Sequence, residues 1–400
     1  MNKKYNFTNL IVLVLLSILN SITLAGVELN TELAPEASTI DTQYGYWDMF
    51  YLEKDFIDSS PADRNDSLVV GELGIDGGDK KMIMNLAQEI VDNNEGKFDS
   101  ILISHQNKLI FESYYRRGRV DLPHMQASVT KAYLTLAIGR AIQLGHLTMN
   151  DLHKPIVNFL KDLDSDKFVN GVENITLHKA MTMQSGVRIS DERFAIIREE
   201  SRKIRGFNHT QEFLQHSEVI LSKSQTFKYD AVGPKLTMHV LDSIVPGSAK
   251  DFIKNEVLTK IGIKNYDWMN EINGLPKSEQ GSSFTSRDMI KFGQLVMNKG
   301  QWRNEQLISE AYINQATNGK TQPTEDWIPD NYLYGYFWYQ TEMKVGDNNY
   351  TVNFAWGAGE QYILTVEKLE LVITFTSNIR ENATMQLVKE RILPAFVNLK

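Results

Sequence analysis

Segments patterned as β-strands lie near the two ends of this chain of 400 residues, and segments patterned as helices lie between them. Ser100–Ser104 and Leu109–Ser113, joined by Gln106 to Lys108, read as a β-hairpin. Tyr332–Gln340, Tyr350–Trp356, Gln361–Val366 and Leu369–Thr376 are rich in aromatic and β-branched residues and read as strands. Apolar spacing predicts helices over Lys80–Val91, from Ser128 to about Gly145, over Thr176–Met183, Ile253–Ile261 and Asp288–Asn298, and over Thr384–Phe396. The strands are joined by short turns, so they pair antiparallel, and strands from both ends must share one sheet. The expected fold class is therefore α/β (α+β): an antiparallel sheet built from both chain ends with flanking helices, plus a mainly helical inserted domain. Residues 80–125 and 271–400 are assigned to the sheet domain and 126–270 to the helical one. Residues 26–79, rich in Gly, Pro, Asp and Ser, are expected to form an extended leader on the body.

Other features narrow the function. Lys3 and Lys4, the apolar run Leu10–Leu19, and Thr23-Leu24-Ala25 before Gly26 have the form of a secretory signal peptide over residues 1–25. The apolar core is shorter than a membrane span needs, and no cysteine follows to carry a lipid. The mature chain is expected in the periplasm or secreted, with no stable membrane anchor. The absence of cysteine excludes disulfides, a thiol nucleophile, iron–sulfur clusters and Cys-based zinc sites. The net charge of -8, with no basic block, argues against a nucleic-acid partner. The eight histidines form no His-Glu-x-x-His, and no metal or organic cofactor is expected. His124 reads as a loop residue. The stretch from Asp288 to Arg303 reads as a solvated amphipathic helix.

The chemistry points to Ala127-Ser128-Val129-Thr130-Lys131, which opens a helix after a loop containing Pro123. A serine in a first helical turn meets unpaired N–H groups and the positive end of the helix dipole. Lys131, three residues on, shares a helix face with Ser128. A serine hydroxyl needs a base to become a nucleophile, and a lysine sheltered by the apolar run Ala132–Ile138 can supply one. The bland alternative is a helix-capping serine followed by a solvated lysine.

The surroundings of Ser128 resemble the serine β-lactamase and penicillin-recognising superfamily, in particular the class C-related esterases, D-aminopeptidases and 6-aminohexanoate-dimer hydrolases. The resemblance rests on five segments in order: the hairpin from Ser100 to Glu112, Ala127–Lys131, Gly145–Leu152, Ile175–Gly186 and Ser283–Leu295. It implies Ser128 as nucleophile, Lys131 as its basic partner, and Tyr229, in Phe227-Lys-Tyr-Asp-Ala231, as proton relay. It also implies an oxyanion hole formed by the N–H groups of Ser128 and Ala358. Trp356, Gly357 and Gly359 then border the substrate, the glycines allowing close approach of a strand; Trp338 and Tyr339 are further pocket candidates. Three departures stand out. Ala231 replaces the family's asparagine, Ala355 replaces the basic residue that meets a substrate carboxylate, and Glu360 replaces a glycine. With the export signal, the resemblance implies an exported serine hydrolase cleaving a small ester or short linear amide through an acyl-enzyme on Ser128. The alternatives are a D,D-peptidase or β-lactamase-type enzyme and a catalytically silent binding protein on the same fold.

Overall fold

A computed structural model describes residues 33–43, 46–203, 209–380 and 382–397. The expected signal peptide, residues 1–25, lies outside them. The strands near the amino end are β1 (Phe56–Asp58), β2 (Val69–Val70), β3 (Ser100–His105) and β4 (Lys108–Tyr114). Short strands follow: β5 (His124–Met125), β6 (Tyr266–Trp268), β7 (Ser282–Phe284), β8 (Gln301–Trp302) and β9 (Glu305–Gln306). The carboxyl end supplies β10 (Leu333–Tyr334), β11 (Tyr339–Val345), β12 (Asn348–Gly357), β13 (Gln361–Val366) and β14 (Leu371–Thr376). The helices used below are α1 (Lys80–Val91), α2 (Thr130–Gln143), α3 (Leu177–Met181), α4 (Asp191–Lys203), α5 (His209–His216), α6 (Val232–Ile244), α7 (Ser286–Met297) and α8 (Glu310–Thr317).

The main sheet runs β1-β4-β3-β14-β13-β12-β11-β10, antiparallel throughout, with β2 added in parallel on β4. The first hairpin and the last strand meet at the β3–β14 joint, where Ile103 faces Ile373 in register. The sheet is thus closed by both chain ends. Every residue of β13 and β14 is buried, because both faces of the sheet are covered. Alternation along β3 shows how. Ser100 and Ser104 bond to Ser286 and Gln294 of α7, whereas His105 stacks on Phe396 of the carboxyl-terminal helical run on the opposite face. Gly293 lets α7 lie directly on β14, since a Cβ there would come within 2.3 Å of Val372 Cγ1.

Several expectations change. The leader contributes β1 and β2 to the sheet and is not merely draped over it. Tyr332–Gln340 is two strand segments, broken where Phe337 adopts φ 58°. The helix α7 is not solvated: Ser286 to Val296 are all buried. Its charges are paired internally. Arg287 bonds to Glu112 (2.9 Å) and Asp66 (2.6 Å), and Lys291 to Asp288 (2.7 Å). His124 is not a loop residue; it lies buried in β5 and faces Asp99 at 3.2 Å, with Tyr46 donating to the same carboxylate oxygen. The helical segment is also tied to the sheet segments. Strand β6 pairs with β7, which pairs with β5, and Tyr312 of α8 donates to the Thr135 carbonyl of α2 at 2.9 Å.

Candidate active site

Strand β5 ends two residues before the Ser128 turn, and its pairing with β7 fixes where that turn begins. Gln126 N–H donates to the Ser282 carbonyl (2.9 Å), and Tyr133 of α2 donates to the Gln126 side chain (2.8 Å). Ala127 takes a left-handed conformation (φ 45°), which only glycine adopts without strain, and a 3₁₀ turn over Ala127–Val129 leads into α2. Thr130 Oγ1 donates to the Ala127 carbonyl at 2.7 Å and holds the bend. The helix α2 is buried on all sides from Thr130 to Ala141, so Lys131 emerges from core and only its amine reaches the site.

Lys131 Nζ lies 2.8 Å from Ser128 Oγ, 3.0 Å from Tyr229 OH and 2.8 Å from the Glu279 carbonyl oxygen. Three acceptors match the three N–H bonds of an ammonium. Tyr229 arrives from the loop before α6. Its N–H donates to Glu325 at 2.6 Å, and its ring meets Trp327 edge-on at 5.2 Å. The third component is the end of β12. A Cβ on Gly357 would sit 2.4 Å from the Gln126 carbonyl oxygen and 3.2 Å from Ser128 N, so only a glycine brings the strand this close to the Ser128 turn.

These parts border one cavity of about 450 Å³. Ser128, Tyr229, Trp356, Gly357, Ala358 and Gly359 all line it, and Lys131 stands behind Ser128 and Tyr229. The residues named from the sequence for catalysis, the oxyanion hole and the substrate border are thus brought together. Tyr339 also lines the cavity, whereas Trp338 is fully buried in the core. Ala355 is fully buried too. Ala231, at the start of α6, lines a different cavity of about 490 Å³, together with Lys235 and Glu279. Burial, with Tyr229 close by, pushes the Tyr339 phenol well above its ordinary range. Burial likewise pushes the Glu360 carboxyl above its ordinary range, offset in part by a 2.6 Å hydrogen bond from Thr384.

Four residues escaped the sequence reading: Trp327 and Arg380 on the cavity wall, Glu325 behind Tyr229, and Glu279, which acts through its carbonyl. None has a spacing relation to Ser128. Only an aromatic flanked by Pro323 and Pro329 hinted at Trp327.

The family model "Beta-lactamase" matches residues 87–395. The chain belongs to this β-lactamase-fold family of hydrolases. No curated protein matches it. Among solved structures it is similar to a proposed 6-aminohexanoate-dimer hydrolase from Bacillus anthracis, with 16% identity, a TM-score of 0.64, and coverage of 91% of this chain and 96% of that one. A class C β-lactamase gives 14% identity and a TM-score of 0.60 over 80% and 97% of the two chains. EstCE1, a hydrolase with promiscuous acyltransferase activity, gives 12% and 0.60 over 79% and 97%. These likenesses establish the fold.

Proposed function

We propose that the protein is an exported serine hydrolase that cleaves a small ester or short linear amide through an acyl-enzyme on Ser128. The observation that carries this reading is the Lys131 amine, held at 2.8 Å from Ser128 Oγ and 3.0 Å from Tyr229 OH at the edge of the cavity. Ser128 Oγ attacks the substrate carbonyl and forms a C–O bond. Lys131 and Tyr229 act together as base: the Tyr229 phenolate, stabilised by the Lys131 ammonium beside it, takes the serine proton and becomes the phenol. The carbonyl π electrons move to oxygen, and the N–H groups of Ser128 and Ala358 stabilise that charge. When the tetrahedral species collapses, the bond to the leaving alcohol or amine breaks, and Tyr229 returns the proton to it. Water then attacks the ester on Ser128. Its proton follows the same route back to Ser128 Oγ, and the carboxylic acid departs. No metal or organic cofactor is required for this sequence.

The cavity of about 450 Å³ suits a small substrate. The test is p-nitrophenyl butyrate turnover and fluorophosphonate labelling of the mature protein beside Ser128→Ala. The variant should lose both; labelling that survives in Ser128→Ala refutes the nucleophile, and no turnover or labelling in the wild type supports a silent binding protein. Export is tested by the amino-terminal sequence of the mature chain, expected to begin at Gly26. One observation favours a second reading, the cell-wall type of enzyme: Arg380 places a cation on the cavity wall that can meet a substrate carboxylate. Ala355, where such members carry the basic residue, argues against it. Robust nitrocefin hydrolysis would reverse the preference.

A further inference from the structure

Glu360 is costly where it stands, for two separate reasons. Its backbone is left-handed (φ 66°), a region where a side chain is strained. The residue is only 9% exposed, and burial and a hydrogen bond from Thr384, with no cation among them, are what act on its carboxyl. The Thr384 hydroxyl donates to it at 2.6 Å, and the phenols of Tyr332 and Tyr362 lie close enough to feel its charge. A glycine would remove both costs. A residue that carries two local penalties on the wall of a reactive cavity points to a use for its side chain.

The neighbours indicate the use. Trp327, Trp356 and Tyr339 form an aromatic wall in the same cavity. Trp327 and Trp356 lie 5.5 Å apart, and Tyr339 lies 5.8 Å from Trp356. Aromatic faces attract cations, and a buried carboxylate beside them adds to that attraction. Two cations bear on this space, Arg380 on the wall and Lys131 behind Ser128 and Tyr229. Lys131 is committed to Ser128, Tyr229 and Glu279. Arg380 is exposed, so water and salt screen it more than they screen the buried Glu360. Resting on the hydrolase reading above, we propose that Glu360 and the aromatic wall select a substrate bearing an ammonium group, on either its acyl or its leaving-group side.

Two matched ester pairs test this, each differing by one charge at constant shape. Butyrylcholine is compared with 3,3-dimethylbutyl butyrate, and p-nitrophenyl 4-(trimethylammonio)butanoate with p-nitrophenyl 5,5-dimethylhexanoate. In at least one pair the cation should be preferred in kcat/KM by roughly tenfold or more. That preference should fall to near parity in Glu360→Gln and rise in Arg380→Gln. Parity in both pairs in the wild type, or a preference that survives Glu360→Gln, overturns the proposal while leaving the hydrolase intact. If Glu360→Gln fails to fold, the wild-type ratios and Arg380→Gln still decide. Absence of any Ser128-dependent turnover of the neutral esters would sink both readings.

Discussion

Gly357→Ala probes the approach of β12 to the Ser128 turn more cleanly than removal of a side chain proposed to be catalytic. Gly357 does not occupy a left-handed conformation, so alanine meets no backbone strain there. By itself that change would stabilise the fold by about 0.4–1 kcal/mol, through a less disordered unfolded chain. The obstacle is purely steric. The new Cβ would lie 2.4 Å from the Gln126 carbonyl oxygen, a gap that must open to at least 3.0 Å. Strand or turn must give way, and Ala358 N–H moves relative to Ser128. Overpacking of this kind costs about 1–3 kcal/mol, so the predicted net effect is a destabilised but folded protein. Displacing one oxyanion donor lowers kcat by roughly 100-fold, whereas KM for a small ester changes little because the rest of the cavity wall is untouched. The assay is p-nitrophenyl butyrate turnover beside urea unfolding of the same preparation. A stable Gly357→Ala protein whose kcat stays within about twofold would refute the idea that this contact sets the oxyanion geometry.

Three further outcomes concern stability. Arg287→Met should destabilise by about 3–5 kcal/mol, because it strands Glu112, which is 1% exposed and paired with Arg287 at 2.9 Å; adding Glu112→Gln should recover part of the loss in urea unfolding. Burial, with His153 and lysines nearby, holds His178 down to about 4, below its ordinary value near 6.5. The unfolded chain therefore binds the proton more readily, so stability is full above about 6.5 and falls as the pH drops toward 4; His178→Gln should flatten that acid arm of the unfolding curve. Glu360 has the opposite sign. Its carboxyl is raised in the fold, so its contribution falls as pH rises out of the ordinary carboxylate range; the stability gained by Glu360→Gln should be larger at pH 8 than at pH 4, and a larger gain at pH 4 would contradict the burial argument.

The elements legible in the sequence are those whose own residues carry the signal. Leu371–Thr376 is an unbroken apolar and β-branched run because both sheet faces are covered there, and Ser128–Lys131 shows its geometry in a single helical turn. The errors arise where a distant partner decides. Nothing within Ser286–Met297 reveals that Arg287 is neutralised by Asp66, 221 residues away in sequence, so the helix reads as solvated. Strands β1 and β2 have three and two residues, too few for a period to register. Trp327 reaches Tyr229 across 98 positions through a loop with no periodicity at all. The family resemblance supplied what spacing could not: the pairing of Ser128 with Tyr229 and with the end of β12.

The strained residues themselves mark the site. Many non-glycine residues with positive φ lie in turns, as Gln106 and Asn107 do between β3 and β4. Ala127 and Glu360 are different. One immediately precedes Ser128 and the other follows β12, and Ser128 and Glu360 both line one cavity. Neither an alanine side chain nor a buried carboxylate bonded to the Thr384 hydroxyl repays left-handed strain through packing. Glycine at position 127 should therefore stabilise the fold by about 1 kcal/mol in urea unfolding. It should also loosen the bend that aims Ser128 Oγ at Lys131, since a glycine there samples more conformations before the Thr130 hydroxyl fixes it. The expected Ala127→Gly protein is more stable and slower, with the loss in kcat and not in KM. A variant that is more stable and equally fast would mean that the strain at Ala127 has no part in positioning the nucleophile.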